Sequence, residues 1–178
     1  PKHRADRPEW YMETGWEKNR LQSMYSNIGK NDVVYYVGAE EGEMPALCQI
    51  WGAKTVLFEP NPKVWGHFKP LWSSNNLETP LACVPSFASN KTDDKFRLYI
   101  NEWPPEADSE IIAAHGFKEL HTEADSYGQI TIDDLVYVHG IVPPTVISID
   151  VEGSEWRVIE GAAEVLKQYK PKIWLSGH

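Results

Sequence analysis

Residues 33–42 read Val33-Val34-Tyr35-Tyr36-Val37-Gly38-Ala39-Glu40-Glu41-Gly42. An unbroken run of β-branched and aromatic residues, with no polar alternation, predicts a strand buried on both faces, as in a parallel sheet. Gly38 directly after it allows a sharp turn and leaves room for a ligand against the main chain. A glycine in a strand-to-helix turn is also ordinary loop chemistry, so the motif gains meaning only from its neighbours.

Those neighbours repeat the pattern. On the N-terminal side, Trp16 to Ile28 reads as a helix, with Trp16, Leu21, Met24 and Ile28 near one face, and residues 1–15 form an arm without clear periodicity. On the C-terminal side, Met44 to Trp51 predicts a helix closed by Gly52, and Thr55 to Phe58 a second strand. A helix follows from about Lys63 to Asn75, which Pro70 should kink or shorten, and then a third strand from Leu81 to Phe87, whose end Pro85 demotes. Lys95 to Ile100 alternates as a strand, residues 101–108 form a loop, and residues 109–128 are ambiguous. Ile130 to Val138 reads as a short helix with Thr131 as its cap and Asp133 and Asp134 in its first turn. Thr145 to Val151 is another buried strand. Glu155 to Tyr169 is a helix with Trp156, Ile159, Ala163 and Leu166 as its apolar stripe, and Lys172 to Leu175 starts a further strand. Strands separated by helices predict right-handed βαβ units in an α/β, doubly wound, mostly parallel Rossmann-like sheet. The expected division is an N-terminal arm and helix over 1–30 and one Rossmann domain over 31–178.

Composition narrows the function. The 178 residues carry 17 Lys plus Arg against 26 Asp plus Glu, a formal charge of −9, which argues against nucleic acid as the main partner. Eight Trp, eight Tyr and five Phe are a high aromatic load, suited to core packing or flat ligand pockets. No apolar run is long enough to span a membrane, and the charged first ten residues lack a secretory pattern. The two cysteines, Cys48 and Cys83, form no CxxC pair, so a disulfide framework or thiolate zinc site is not expected. A reducing, cytoplasmic setting is the expectation.

Ligands in such sheets bind outside the carboxyl ends of the strands, where strand order reverses. Glu59 ends the second strand 21 positions after Gly38, the placement at which a carboxylate accepts from ribose hydroxyls. The turn is GxxxG rather than GxGxxG, which weakens a dinucleotide and suits a cofactor without pyrophosphate, such as S-adenosylmethionine. Asp150 and Glu152 end the Thr145–Val151 strand two residues apart, and Glu155 opens the next helix. Such carboxylates can grip an amino group, act as a general base or hold a cation.

The stretch Val146 to Ala162, VISIDVEGSEWRVIEGA, resembles the signature of the FkbM-type S-adenosylmethionine-dependent methyltransferases. The resemblance spans about residues 33–178. It is supported by Val37-Gly38-Ala39 with Gly42, Phe58-Glu59-Pro60-Asn61-Pro62, Leu71 to Asn75, Thr131 to Leu135, and Lys170-Pro171. It implies a class I methyltransferase fold with a seven-stranded sheet; the strands up to the fifth are expected within this sequence, and the last two are expected either to be absent from a natural short form or to lie in a portion beyond it. It also implies S-adenosylmethionine as cofactor and methyl transfer to a hydroxyl oxygen of a sugar or other small molecule. Carried over by position, Gly38, Ala39 and Gly42 border the methionine portion, and Glu40 belongs with them. Glu59 binds the ribose with Pro60 and Asn61 beside it, and Ser86 and Phe87 approach the adenine. Asp150 and Glu152 face the methyl group and the acceptor, and Asp150 or His178 serves as base. A divalent cation held by Asp150, Glu152 and His178 is the less favoured alternative. Three positions depart from the family pattern: Tyr36 and Ser176 stand where carboxylates are usual, and Glu40 where Asn is common. Tyr36 and Ser176 keep open a non-catalytic binding or assembly domain, and another nucleotide-using Rossmann-like enzyme is the third reading. Residues 101–128, with Trp103, His115, Phe117 and His121, lie where the family places a variable segment over the acceptor, with a plain surface flap packed on the core as the favoured reading.

Overall fold

A computed structural model describes residues 15–40, 42–105 and 127–176 of the chain. The elements run α1 (Gly15–Asn27), β1 (Val33–Val37), α2 (Glu43–Ile50), β2 (Lys54–Phe58), α3 (Pro62–Ser74), β3 (Ala82–Val84), β4 (Phe87–Ala88) and β5 (Tyr99–Ile100). They continue with β6 (Gln129–Ile130), α4 (Ile132–Tyr137), β7 (Val146–Ile149), α5 (Glu155–Glu160), α6 (Ala163–Tyr169) and β8 (Lys172–Leu175). Six strands form one sheet in the order β5-β3-β2-β1-β7-β8, all parallel except the β3–β5 pair. The chain builds outward from β1 to β2 and β3, then returns to the other side of β1 with β7 and β8. The reversal point therefore lies between β1 and β7.

Alternation along the strands gives the sheet two apolar faces. Tyr35, Val37, Val56, Phe58, Ile147 and Ile149 pack with Leu135, Val158 and Val165, so α4, α5 and α6 cover that face. Val34, Tyr36, Leu57 and Val146 pack on the opposite face with Met24, Ala46, Phe68 and Trp72 from α1, α2 and α3. This is the doubly wound arrangement that continuous apolar strands predict.

Four local expectations are corrected. The third strand does not run to Phe87: it stops before Pro85, which has no N–H for the ladder, and Phe87–Ala88 pair instead with Gln129–Ile130. Of the alternating stretch Lys95 to Ile100, only Tyr99 and Ile100 join the sheet. Pro70 does not shorten its helix, which runs on to Ser74: both it and Gly66, whose carbonyl a proline four residues on cannot serve, lie on the exposed side, where that carbonyl is open to solvent. The helix expected over Glu155–Tyr169 breaks at Gly161-Ala162. There the Gly161 carbonyl accepts from the Asp133 N–H at 2.9 Å, and the Asp133 carboxylate takes the N–H groups of Glu164 and Val165 at 3.0 and 2.9 Å. A Cβ on Gly161 would sit 1.9 Å from the Ser89 carbonyl oxygen, so the crossing demands glycine. The break rotates the apolar stripe to Val158, Ala162 and Val165 and leaves Trp156 54% exposed.

Thr131 caps α4 as expected, accepting the Asp134 N–H at 2.9 Å. No helix among the described residues is long and apolar enough to cross a membrane. The ambiguous stretch 109–128 falls mostly outside the described residues.

Candidate active site

The loops after β1, β2, β3 and β7 meet at the carboxyl edge of the sheet, at the reversal point, and enclose a cavity of about 100 Å³. Glycine makes the closest junction possible. Gly38 has φ 82°, and a Cβ there would lie 1.9 Å from the Asp150 carbonyl oxygen, so the β1 and β7 loops touch backbone to backbone.

Glu59 lies on the β2 side. Its Oε2 accepts the Glu40 N–H at 2.9 Å and its Oε1 the Asn61 N–H at 2.8 Å, while its carbonyl accepts from the Trp65 indole at 2.9 Å. Burial pushes the carboxyl up to about 7, against the downward pull of the two backbone donors and with a smaller upward push from Glu40. A buried acid with both oxygens aimed by main-chain donors is held in one orientation, with lone pairs left for a ligand's hydroxyl donors.

Asp150 lies on the β7 side, and a residue far away in sequence governs it. Arg20 of α1 donates from Nη1 to Asp150 Oδ2 at 2.6 Å and to Ser176 Oγ at 2.8 Å. Its Nη2 donates to Ser148 Oγ at 3.0 Å and to the Tyr36 hydroxyl at 3.2 Å. Burial keeps the Tyr36 hydroxyl protonated, raising it far above the ordinary phenol value despite the nearby guanidinium. Nothing local in the sequence marks Arg20: it sits on a largely polar helix, 130 positions before its carboxylate partner.

Of the residues singled out from the sequence, Gly38, Glu40, Glu59, Pro60, Ser86, Phe87, Asp150 and Glu152 line the cavity together. Val37, Phe58, Ala88, Val151 and Ser154 join them without having been singled out. Asn61 contributes its N–H to Glu59 from behind the wall. Ala39 is buried beside the cavity without lining it. Gly42, at φ 88°, caps α2 against Phe68 and Trp72, where a Cβ would come within 2.7 Å of the Phe68 ring. Ser86 is fully buried and accepts the Arg97 N–H at 2.9 Å. His178, His115, Phe117 and His121 lie outside the described residues, whereas Trp103 packs edge-to-face on Trp72, away from the cavity.

Two further properties bear on chemistry. The described lining includes four carboxylates, Glu40, Glu59, Asp150 and Glu152, and no Lys, Arg or His. Glu40 and Glu152 both adopt left-handed backbone, φ 48° and 51°, a conformation that side-chain-bearing residues rarely hold. No group of three His, Cys, Asp or Glu side chains suited to a metal ion occurs among the described residues.

A family model for the methyltransferase FkbM domain matches residues 27–176. Hexuronic acid methyltransferase AglP of Haloferax volcanii is 25% identical over 155 residues, which cover 85% of this chain and 58% of that protein. The crystal structure of methyltransferase FkbM from Methylobacillus flagellatus superposes with a TM-score of 0.54 at 19% identity, over 84% of this chain and 36% of the other. The chain thus spans about three-fifths of the curated relative and about a third of the structural one.

Proposed function

The chain belongs to the FkbM methyltransferase domain family, and from that premise we propose that it moves a methyl group from S-adenosylmethionine to a hydroxyl oxygen of a sugar or a similarly hydroxylated small molecule. The observation that carries this reading is the acid-lined cavity at the reversal point, with Glu59 buried and aimed at its β2 end. Among the described residues the wall is acidic and carries no basic side chain, which suits a ligand bearing a sulfonium and an ammonium and disfavours a pyrophosphate. The cavity's 100 Å³ is below the ~300–1,000 Å³ of small-molecule sites, so the cofactor lies partly in the open mouth of the cleft.

Glu59 accepts from the ribose hydroxyls, with Pro60 beside it and Asn61 steadying its Oε1. Ser86 and Phe87 border the adenine, and Gly38 keeps the floor of the cleft free of side chains. When bound, the cofactor supplies a methyl group already electrophilic on its sulfonium, so the protein's task is chiefly alignment of the acceptor. Asp150 and Glu152 stand where the methyl group meets the acceptor, and Asp150 borders the cofactor as well. Because Oδ2 of Asp150 is engaged by the Arg20 guanidinium, the hydroxyl proton goes to Glu152 or His178. A sugar acceptor is supported by the name of the archaeal relative, which specifies a hexuronic acid.

Titration calorimetry with S-adenosylmethionine tests the cofactor. Binding that is lost in Glu59→Ala supports the reading, and a folded chain that binds nothing overturns it. Radiolabelled methyl transfer to a panel of neutral sugars and uronic acids then tests the acceptor. An alkali-stable methyl ether is the expected product, and an alkali-labile ester would move the acceptor atom from hydroxyl to carboxylate.

A further inference from the structure

The guanidinium of Arg20 does more than fasten α1 to the sheet. That helix is already held by Met24 and Ile28, both buried in the core. Its Asn27 carbonyl accepts from Lys172 Nζ at 2.9 Å, and its Ser23 hydroxyl from the Trp174 indole at 3.1 Å. Arg20 instead reaches the carboxyl ends of β1, β7 and β8, where it meets one carboxylate and three hydroxyl oxygens. The side chains of the ion pair are only 11% and 15% exposed. A guanidinium is a rigid planar fork, so contacts from two of its nitrogens to several rigidly placed oxygens specify orientation as well as charge. Ser148 and Tyr36 lie on buried strands, so the fork is fixed from behind, and Asp150 Oδ2 is fixed by the fork. Asp150 in turn forms part of the cavity wall.

We propose that Arg20 is a positioning residue for the methyl-donor cleft: it sets the orientation of the Asp150 carboxylate, and the N-terminal helix is thereby a working part of the site. The inference rests on the cleft being the S-adenosylmethionine site, as set out above. Two effects of removing Arg20 oppose each other. Loss of a positive charge beside an acidic cleft favours a cationic ligand, whereas a carboxylate freed to turn away loses its contact with that ligand. The short, multiply anchored geometry gives the second effect the larger weight.

The test titrates S-adenosylmethionine into the full chain as wild type, Arg20→Lys, Arg20→Met, Asp150→Asn and the Arg20→Met/Asp150→Asn double variant, with thermal midpoints measured alongside. Arg20→Lys keeps the charge without the fork and is expected to bind about tenfold more weakly than wild type. Asp150→Asn is expected to weaken binding similarly, and adding Arg20→Met to it should change the dissociation constant by less than about twofold, because the residue through which Arg20 acts is already lost. If Arg20→Met alone fails to fold, the comparison of Asp150→Asn with the double variant still decides, since the double variant leaves no carboxylate facing the space of the lost guanidinium. Wild-type affinity in Arg20→Lys, tighter binding in Arg20→Met, or a further large loss in the double variant overturns the assignment. Absence of binding by the folded wild type overturns the cofactor reading itself, and is distinguished by not depending on Arg20.

Discussion

Glu59 and Asp150 both sit just beyond the end of a buried parallel strand, and both border the same cavity, yet the fold accommodates their charge in different ways. Glu59 is buried among apolar groups with only main-chain N–H donors on its oxygens, and burial outweighs those donors, so its carboxyl is pushed up to about 7. Asp150 receives a whole positive charge from α1. Backbone dipoles orient a carboxylate but only partly offset its desolvation, whereas a guanidinium both orients and neutralises it. The β2 side of the cleft is consequently pH-sensitive and local in origin. The β7 side depends on long-range packing.

Several perturbations test this contrast, beginning with the junction between the two sides. Gly38→Val should unfold the chain or cost about 4 kcal/mol or more in urea denaturation, because its Cβ would overlap the Asp150 carbonyl at a left-handed φ. Arg20→Met should cost about 3 kcal/mol, because it leaves a largely buried carboxylate without its cation. Much of that stability should return in the Arg20→Met/Asp150→Asn double variant, and equal losses in single and double variants would show that the ion pair is not the cause.

Glu59 predicts a pH dependence of opposite character. Its carboxyl rises from the ordinary value of 4.5 to about 7 on folding, so between those values the folded state binds the proton and the unfolded state does not. Stability from this group is therefore full below about 4.5 and is lost as pH climbs through about 7, by roughly 3 kcal/mol. Glu59→Gln should remove that slope from a series of denaturation curves between pH 5 and 8, and an unchanged slope would assign it to other groups. Affinity for S-adenosylmethionine should move the other way, rising several-fold as Glu59 ionises, because a carboxylate offers the ribose hydroxyls more acceptor capacity than a carboxyl. The smallest effect serves as a reference remote from the cleft: Thr131→Ala removes the cap of α4 and should cost about 1 kcal/mol without altering cofactor binding.

The same contrast explains what was readable in the sequence. The place of Glu59 beside the cleft is legible from its spacing after Gly38, since both follow adjacent parallel strands in one βαβ unit. That of Asp150 is legible as an acid at the end of an apolar run. Arg20 carries no such mark, because no periodicity links a helix near residue 20 to a strand end at residue 150. Tyr36 and Ser176, which depart from the family's usual carboxylates, become intelligible only as two of the oxygens around that guanidinium. Trp156 misled for a related reason: an apolar side chain at helical spacing predicts burial only while the helix continues, and Asp133 redirects it at Gly161.

The strands, their alternation with helices, the Thr131 cap and the pairing of Gly38 with Glu59 at two strand ends beside the cleft are legible in the sequence. Each of these follows from side-chain periodicity or turn chemistry within a few residues. The pairing of Phe87–Ala88 with Gln129–Ile130, the position of the α5–α6 break and the guanidinium that meets Asp150 came from the tertiary structure. Those outcomes depend on atoms from distant segments competing for the same backbone groups or the same few ångströms of space.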